Sequence, residues 1–257
     1  MKRRRSFPRF ENYGYFLLFA ALLLGLWEAA ARMGLMPAFI LPAPSAIGRA
    51  LVANSRLLFL THLPVTLREV AVGFLLSAAG GTLLAVAMRA WRPLDKALYP
   101  LLIVSQTLPL ITLAPVFILW FGYSLTSKVA VVFLTAFFPV VVGAYDGLAD
   151  TSREYRELLL AMGASRREVY FKIRVPFALP SLFSGLKLAA VYSVVGATIG
   201  EWLGGNAGLG YYSRRMSANL QTADMFAAVL LLSVTGILCF LGVAGLEKLC
   251  CSRRNHS

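Results

Sequence analysis

Apolar residues in this chain come in long unbroken blocks rather than in alternating or single-stripe patterns. A bilayer's hydrocarbon core is crossed by about 17–25 consecutive apolar residues in a helix. Six blocks of that kind occur, at residues 13–31, 71–88, 97–121, 129–147, 182–203 and 226–246. They predict six helices and leave little chain for a soluble domain. The middle of every block is free of Asp, Glu, Lys, Arg and His, each of which costs about 2.5–3.5 kcal/mol at that depth. Glu28, Asp146 and Glu201 lie near block ends and read as hydrated interfacial carboxylates.

Within the blocks, the breakers and small residues carry information. Pro109 and Pro115 interrupt the hydrogen-bond ladder of the third, predicting a kinked helix beside a pathway. Gly73, Ser77 and Gly81 in the second, and Gly196, Gly200 and Gly204 in the fifth, recur every four residues. That spacing lines one helix face for close contact, within the chain or at a subunit or gate contact. Past the fifth block, the run from Gly204 to Gly210 suits a tight turn. Between the first two blocks, Pro42 and Pro44 disfavour helix up to Ser45, which can cap a short amphipathic helix carrying Ile47, Ala50, Leu51 and Leu58.

Composition agrees with the blocks. Apolar residues make up 58% of the 257 and charged ones 14%, with a mean hydropathy of +0.71; soluble domains carry about 45–50% apolar and about 25% charged residues. The net charge of +13 could mean nucleic acid, but the basic residues sort by side. With the N-terminus inside, 17 of the 25 fall in cytoplasmic segments, as the preference of Lys and Arg for that side requires. Arg32, Arg49, Arg56, Arg68, Lys128, Arg214 and Arg215 fall outside, and Lys187 can snorkel to the inner interface. Both termini are then cytoplasmic, and no nucleic-acid surface is needed. The first block, after Lys2-Arg3-Arg4-Arg5 and ending in Ala29-Ala30-Ala31, also fits a signal peptide. Its length, Trp27 and Glu28 before the small residues, and a Glu28–Arg32 pair favour an uncleaved anchor. Cys239, Cys250 and Cys251 have no disulfide or zinc spacing and read as reduced thiols, while His62 and His256 lack catalytic or metal partners.

The longest inner loop, residues 150–181, reads as two capped helices. Thr151 with Glu154 and Ser165 with Glu168 form capping-box patterns; Gly163 stops the first helix and Pro176 ends the second. The first presents Tyr155, Leu158, Leu159 and Met162 on one face. Such a stripe on a short helix outside the membrane needs either its own core or a partner.

From Glu157 the loop runs Glu157-Leu158-Leu159-Leu160-Ala161-Met162-Gly163, nine residues, then Ile173-Arg174-Val175-Pro176. This resembles the cytoplasmic signature of ABC importer permeases, Glu-Ala-Ala, three residues, Gly, nine residues, Ile-x-Leu-Pro. Leucines replace the two alanines and Val175 the signature leucine. The resemblance runs from Ile40-Leu41-Pro42-Ala43-Pro44-Ser45 to the sixth block. It is to the branch serving nitrate, sulfonate, taurine and thiamine-precursor pyrimidines. Leu119-Trp120-Phe121-Gly122-Tyr123 and the run from Gly200 to Tyr211 look most like hydroxymethylpyrimidine permeases.

The resemblance implies an all-α integral membrane fold of the type I importer permease class, with about six transmembrane helices and a coupling loop between the fourth and fifth. It divides the chain into a basic tail (1–12), a first transmembrane helix (13–31), an external loop with its amphipathic helix (32–70), a permease core (71–247) that includes the coupling loop, and a second tail (248–257). It implies a bacterial inner-membrane homodimer with two cytoplasmic ATPases and an external binding protein. ATP and Mg belong to the ATPase, since no phosphate-cradling Gly-x-x-x-x-Gly-Lys-Ser/Thr occurs here, and this chain binds no cofactor or metal. Tyr155, Glu157, Leu158, Leu159, Met162, Gly163, Ile173, Val175 and Pro176 are the expected ATPase-coupling residues. Pro109, Pro115, Gly196, Gly200, Glu201 and Trp202 are the expected pathway or gate residues. The expected substrate is a small organic solute such as a thiamine-precursor pyrimidine, with aliphatic sulfonate, taurine or nitrate as alternatives. An ion-coupled secondary transporter, the rival from another class, would show mid-span ionisable residues and an inverted repeat. A membrane enzyme would show a catalytic constellation within the spans.

Overall fold

The structure, a computed structural model, describes residues 11–149 and 153–251. The basic N-terminal tail, the Thr151 half of the first capping box, and Arg253, Arg254 and His256 lie outside them. All regular elements among the described residues are helical. In order they are α1 (Glu11–Arg32), α2 (Pro44–Ala53), α3 (Ser55–Leu57), a π-helical turn (Leu58–His62), α4 (Leu63–Ala90), α5 (Arg92–Ser105), α6 (Leu110–Phe121) and α7 (Leu125–Ala149). After the loop come α8 (Arg153–Ala161), α9 (Arg166–Val169), a second π-helical turn (Tyr170–Arg174), α10 (Val175–Gly204), α11 (Leu209–Ala218) and α12 (Thr222–Cys251).

Five continuous helical stretches are long and apolar enough to cross a membrane: Gly14–Arg32, Ser55–Ala90, Leu125–Ala149, Arg167–Gly204 and Thr222–Cys251. The third predicted span is not one kinked helix. It is two, α5 and α6, meeting at 103°. Pro109 caps α6 in an extended conformation, and Leu110 begins the new helix. A proline supplies no N–H to the previous ladder and biases its predecessor away from helix, so the chain breaks there. Pro115, by contrast, stays inside α6.

Two other expectations are corrected by the same chemistry. Pro176 does not end the second loop helix, because α9 runs through the π turn into α10. A π turn also precedes α4, and in both places the proline, Pro64 or Pro176, stands two residues past it. One wide turn removes the clash between the proline ring and the carbonyl four residues back. Ser45, likewise, is not a cap. Helix α2 starts at Pro44, where a missing N–H costs nothing. Ser45 instead gives its N–H (2.9 Å) and its hydroxyl (2.7 Å) to the Glu28 carboxylate, which also receives Arg32 Nε at 2.6 Å. The expected Glu28–Arg32 pair therefore forms, and it ties α1 to α2.

Helix α7 is the centre of the fold, packed between α4 and α10. The small-residue seams of α4 and α10 face it over most of their length: a Cβ on Gly196 would stand 2.9 Å from Val132 Cα and one on Gly81 3.0 Å from Val140, while from α7 itself a Cβ on Gly147 would stand 2.7 Å from Ala178 O. Only glycine permits the closest of these approaches, and both seams take part in packing within this chain. Ser77 adds a hydroxyl bond to Phe133 O at 2.9 Å. Outward-facing leucines and phenylalanines of α1 and α12, such as Leu17, Phe19, Ile237 and Leu241, remain exposed, as lipid-facing positions do.

Candidate functional site

Three features carry the functional argument: the loop at one end of the bundle, a buried charged cluster at the other, and the α5–α6 break between them.

In the loop, the backbone closes α8 on Gly163 at φ +89°. Ala164 N–H reaches Leu159 O at 3.0 Å and Gly163 N–H reaches Leu160 O at 3.1 Å, a Schellman stop. Two residues later the predicted capping box forms in both directions. Ser165 Oγ accepts Glu168 N–H at 3.2 Å, and Glu168 Oε2 accepts Ser165 N–H at 3.1 Å and its hydroxyl at 2.9 Å. Lys172 adds an ion pair to Glu168 at 3.0 Å. Leu158 and Met162, one turn apart, point away from the protein at 57% and 75% exposure, while Leu159 is half-buried. Glu157 is exposed on the same short helix; the Tyr155 side chain lies outside what the structure describes. Ile173, Val175 and Pro176 are half-buried at the root of α10, where Arg174 Nε donates to Leu148 O at 2.8 Å and so straps the loop to the end of α7.

At the opposite end, Glu201 is fully buried, not a hydrated interfacial carboxylate. Its Oε1 accepts Thr66 Oγ1 at 2.6 Å, and its Oε2 accepts the N–H groups of Gly210 and Tyr211. Thr66 Oγ1 accepts Leu209 N–H at 2.9 Å, and His62 Nδ1 accepts Gly208 N–H at 3.1 Å. Four successive N–H groups of the turn before and into α11 are thus held by α4, its preceding π turn and α10. Gly208, at φ +110°, leaves space that the Glu201 carboxyl fills. Behind Glu201 lies Glu69, also fully buried, with Lys128 Nζ 3.1 Å from its Oε1. Charged side chains therefore do lie inside the helices, contrary to the sequence expectation. Apolar blocks that begin at residues 71 and 129 leave Glu69 and Lys128 just outside, whereas α4 and α7 begin earlier. The signal was present as His62, Thr66 and Glu69, a polar stripe at i, i+4, i+7.

Trp202 stands beside this cluster, its Nε1 donating to Ser213 Oγ at 3.1 Å and its carbonyl accepting from Arg214. Gly196 and Gly200 face α7. Pro109 belongs to the break instead, beside a cavity of about 280 Å³, and Pro115 lies within α6. Among the described residues no group of three or more His, Cys, Asp or Glu could hold a metal ion.

Comparison with known proteins agrees with this architecture. The family profile described as "Binding-protein-dependent transport system inner membrane component" matches residues 77–250. The chain is 45% identical to the formylaminopyrimidine transport permease protein ThiX of Halalkalibacterium halodurans, over 96% of each. It is 34% identical to the riboflavin transport system permease protein RibX of Chloroflexus aurantiacus, over 96% of this chain and 93% of that one. Its fold is similar to a chain of the MetNI methionine ABC transporter solved in inward-facing conformations. That match has a TM-score of 0.61 at 18% identity and covers 72% of this chain and 93% of the other.

Proposed function

This chain belongs to the family of binding-protein-dependent transport system inner membrane components, and from that premise we propose how it works as the permease of an ABC importer. The family is one of multi-pass inner-membrane transport subunits that act with an ATPase and a substrate-binding protein. In our reading two copies form one pathway, two ATPase subunits hold ATP and Mg, and this chain binds no cofactor and performs no chemistry of its own. Both termini and the α8 loop face the cytoplasm.

The observation that carries the coupling role is the outward turn of Leu158 and Met162 on a helix closed by a Schellman stop at Gly163, with a capping box opening the next helix two residues later. Isolated helices of this length are marginal in water, so an exposed apolar stripe on one needs a partner groove. Tyr155, Glu157, Leu158, Leu159, Met162 and Gly163 would seat in the ATPase; Ile173, Val175 and Pro176 would pass its movement to α10 and, through Arg174, to α7. At the far end, Glu201 and Trp202 would form part of the outer gate. Gly196 and Gly200 would let α10 ride close on α7, while Pro109 and Pro115 would shape the broken helix along the pathway. ATP-driven closure of the ATPase pair would rock these helices from inward-facing to outward-facing.

The relative at 45% identity supports a thiamine-precursor pyrimidine as substrate over sulfonate, taurine or nitrate. Proteoliposomes containing this chain, its companion ATPase and its binding protein should accumulate radiolabelled hydroxymethylpyrimidine only when ATP is supplied. Accumulation driven by a proton gradient with the ATPase omitted would instead establish the secondary-transporter reading.

A further inference from the structure

The cavity at the α5–α6 break sits halfway along α7 and α10, at the facing ends of α5 and α6. Thr135, Phe138 and Pro139 are mid-helix in α7, Tyr192 is mid-helix in α10, and Ser105 and Gln106 end α5. Thr135 is ten residues from the start of α7, which at 1.5 Å per residue is about 15 Å, the midplane of a core about 30 Å thick. Bare backbone at that depth is tolerated only beside protein or a hydrated cavity.

The lining has a definite chemistry. None of its residues is charged. The Tyr192 hydroxyl has no hydrogen-bond partner among the described residues, and Gln106 uses only its Nε2, toward Leu102 O at 3.5 Å, leaving Oε1 open. Ser105 donates its hydroxyl proton to Leu102 O at 2.8 Å and keeps lone pairs free. The 103° bend also brings two opposite helix ends to one place. At the C-terminus of α5 the carbonyls of Leu102, Val104 and Ser105 already accept bonds from the turn, which leaves Gln106 Oε1 as the acceptor there, and the N-terminus of α6 offers the unpaired N–H groups of Leu110 and Ile111. Half-dipoles of opposite sign side by side offset each other, so the break does not favour an anion as a lone helix N-terminus would. They present donors next to acceptors, beside the aromatic wall of Phe138.

We infer that the cavity at the α5–α6 break is a substrate subsite for an uncharged planar heterocycle bearing adjacent hydrogen-bond donors and acceptors, held by Gln106, Tyr192 and the N-terminus of α6. This rests on the importer reading above and deepens it. A sulfonate or nitrate would meet no counter-charge here and would lose its hydration at midplane, whereas an aminopyrimidine edge exchanges water for matched partners.

The test uses the full transporter in proteoliposomes, with hydroxymethylpyrimidine and an alkanesulfonate as probes. ATP hydrolysis stimulated by loaded binding protein is followed in parallel. Gln106→Leu and Tyr192→Phe should each lower pyrimidine uptake tenfold or more while stimulated ATP hydrolysis stays within twofold of wild type. In a chain freed of its native cysteines, Ser105→Cys should be shielded from N-ethylmaleimide by the pyrimidine and not by the sulfonate. Wild-type pyrimidine uptake with both variants unimpaired, or hydrolysis falling in step with uptake, overturns the subsite and leaves the importer reading standing. A wild-type assembly that carries the sulfonate and not the pyrimidine overturns the substrate class in both sections. One that carries neither overturns the pyrimidine substrate and the subsite with it.

Discussion

Among single residues, Lys128 and Glu69 show how a membrane protein keeps charge inside its helices. Lys128 is 5% exposed and Glu69 not at all, with Nζ and Oε1 3.1 Å apart. Breaking such a pair strands a buried charge and costs about 3–5 kcal/mol, whereas replacing both partners by apolar side chains of like volume is often neutral. Lys128→Met alone should therefore lower the unfolding temperature of the detergent-purified protein by several degrees. The double variant Glu69→Met, Lys128→Met should recover most of that loss; a double variant no better than the single one would show that the pair does not act as a unit. Sequence reading missed this pair because a hydropathy window stops at the first charge, and here the helix does not. It found Glu201 but misjudged its setting, since nothing local in the sequence says that Thr66, 135 residues away, donates to it.

Among elements, the loop helices were the most legible part of the chain, because their caps are local chemistry. The Ser165–Glu168 box and the Gly163 stop need residues only a few positions apart, and both formed as the spacing implied. The broken third span was half legible. Pro109 marked the place, but a 103° turn rather than a kink depends on α7 and α10 offering a cavity to turn against. Gly163 gives the element a clean test. A Cβ there would meet nothing within 4 Å, so the barrier to substitution is its φ of +89° rather than crowding. A left-handed backbone costs a non-glycine residue roughly 1–2 kcal/mol, and Asn tolerates it best. Gly163→Val should cut ATP-driven uptake at least tenfold at an unchanged level in the membrane, and Gly163→Asn should restore most of it. Uptake by the valine variant equal to wild type would remove the hinge from the coupling mechanism.

Across the whole molecule, the loop and the clasp around Glu201 are joined by one packed body. The 25 residues of α7 reach about 37 Å, enough to span the bilayer, and glycine contacts hold it to α4 and α10 along that length. A body packed this closely rotates before it deforms. Force applied where Arg174 straps α10 to Leu148 would therefore arrive at Lys128, Glu69 and Glu201 as a tilt of the outer ends. Lys187–Glu247 at 2.8 Å near the loop, and Asn54–Asp224 at 2.7 Å near the clasp, attach α12 at both of its ends, so it must follow. This transmission requires the loop and the clasp to lie on opposite sides of the membrane, with the loop inside, as the sorting of basic residues implies. Met162 and Tyr123 report the two sides at matched access, 75% and 76% exposed. With Cys239, Cys250 and Cys251 changed to serine, an impermeant maleimide added to intact cells should label Tyr123→Cys and spare Met162→Cys. Inside-out vesicles should give the reverse. Expressed without the companion ATPase, which would otherwise cover Met162, the chain leaves both positions equally open, and a difference in labelling then reports the bilayer between them. Labelling of both from one side would leave the ATPase no route by which to drive the clasp.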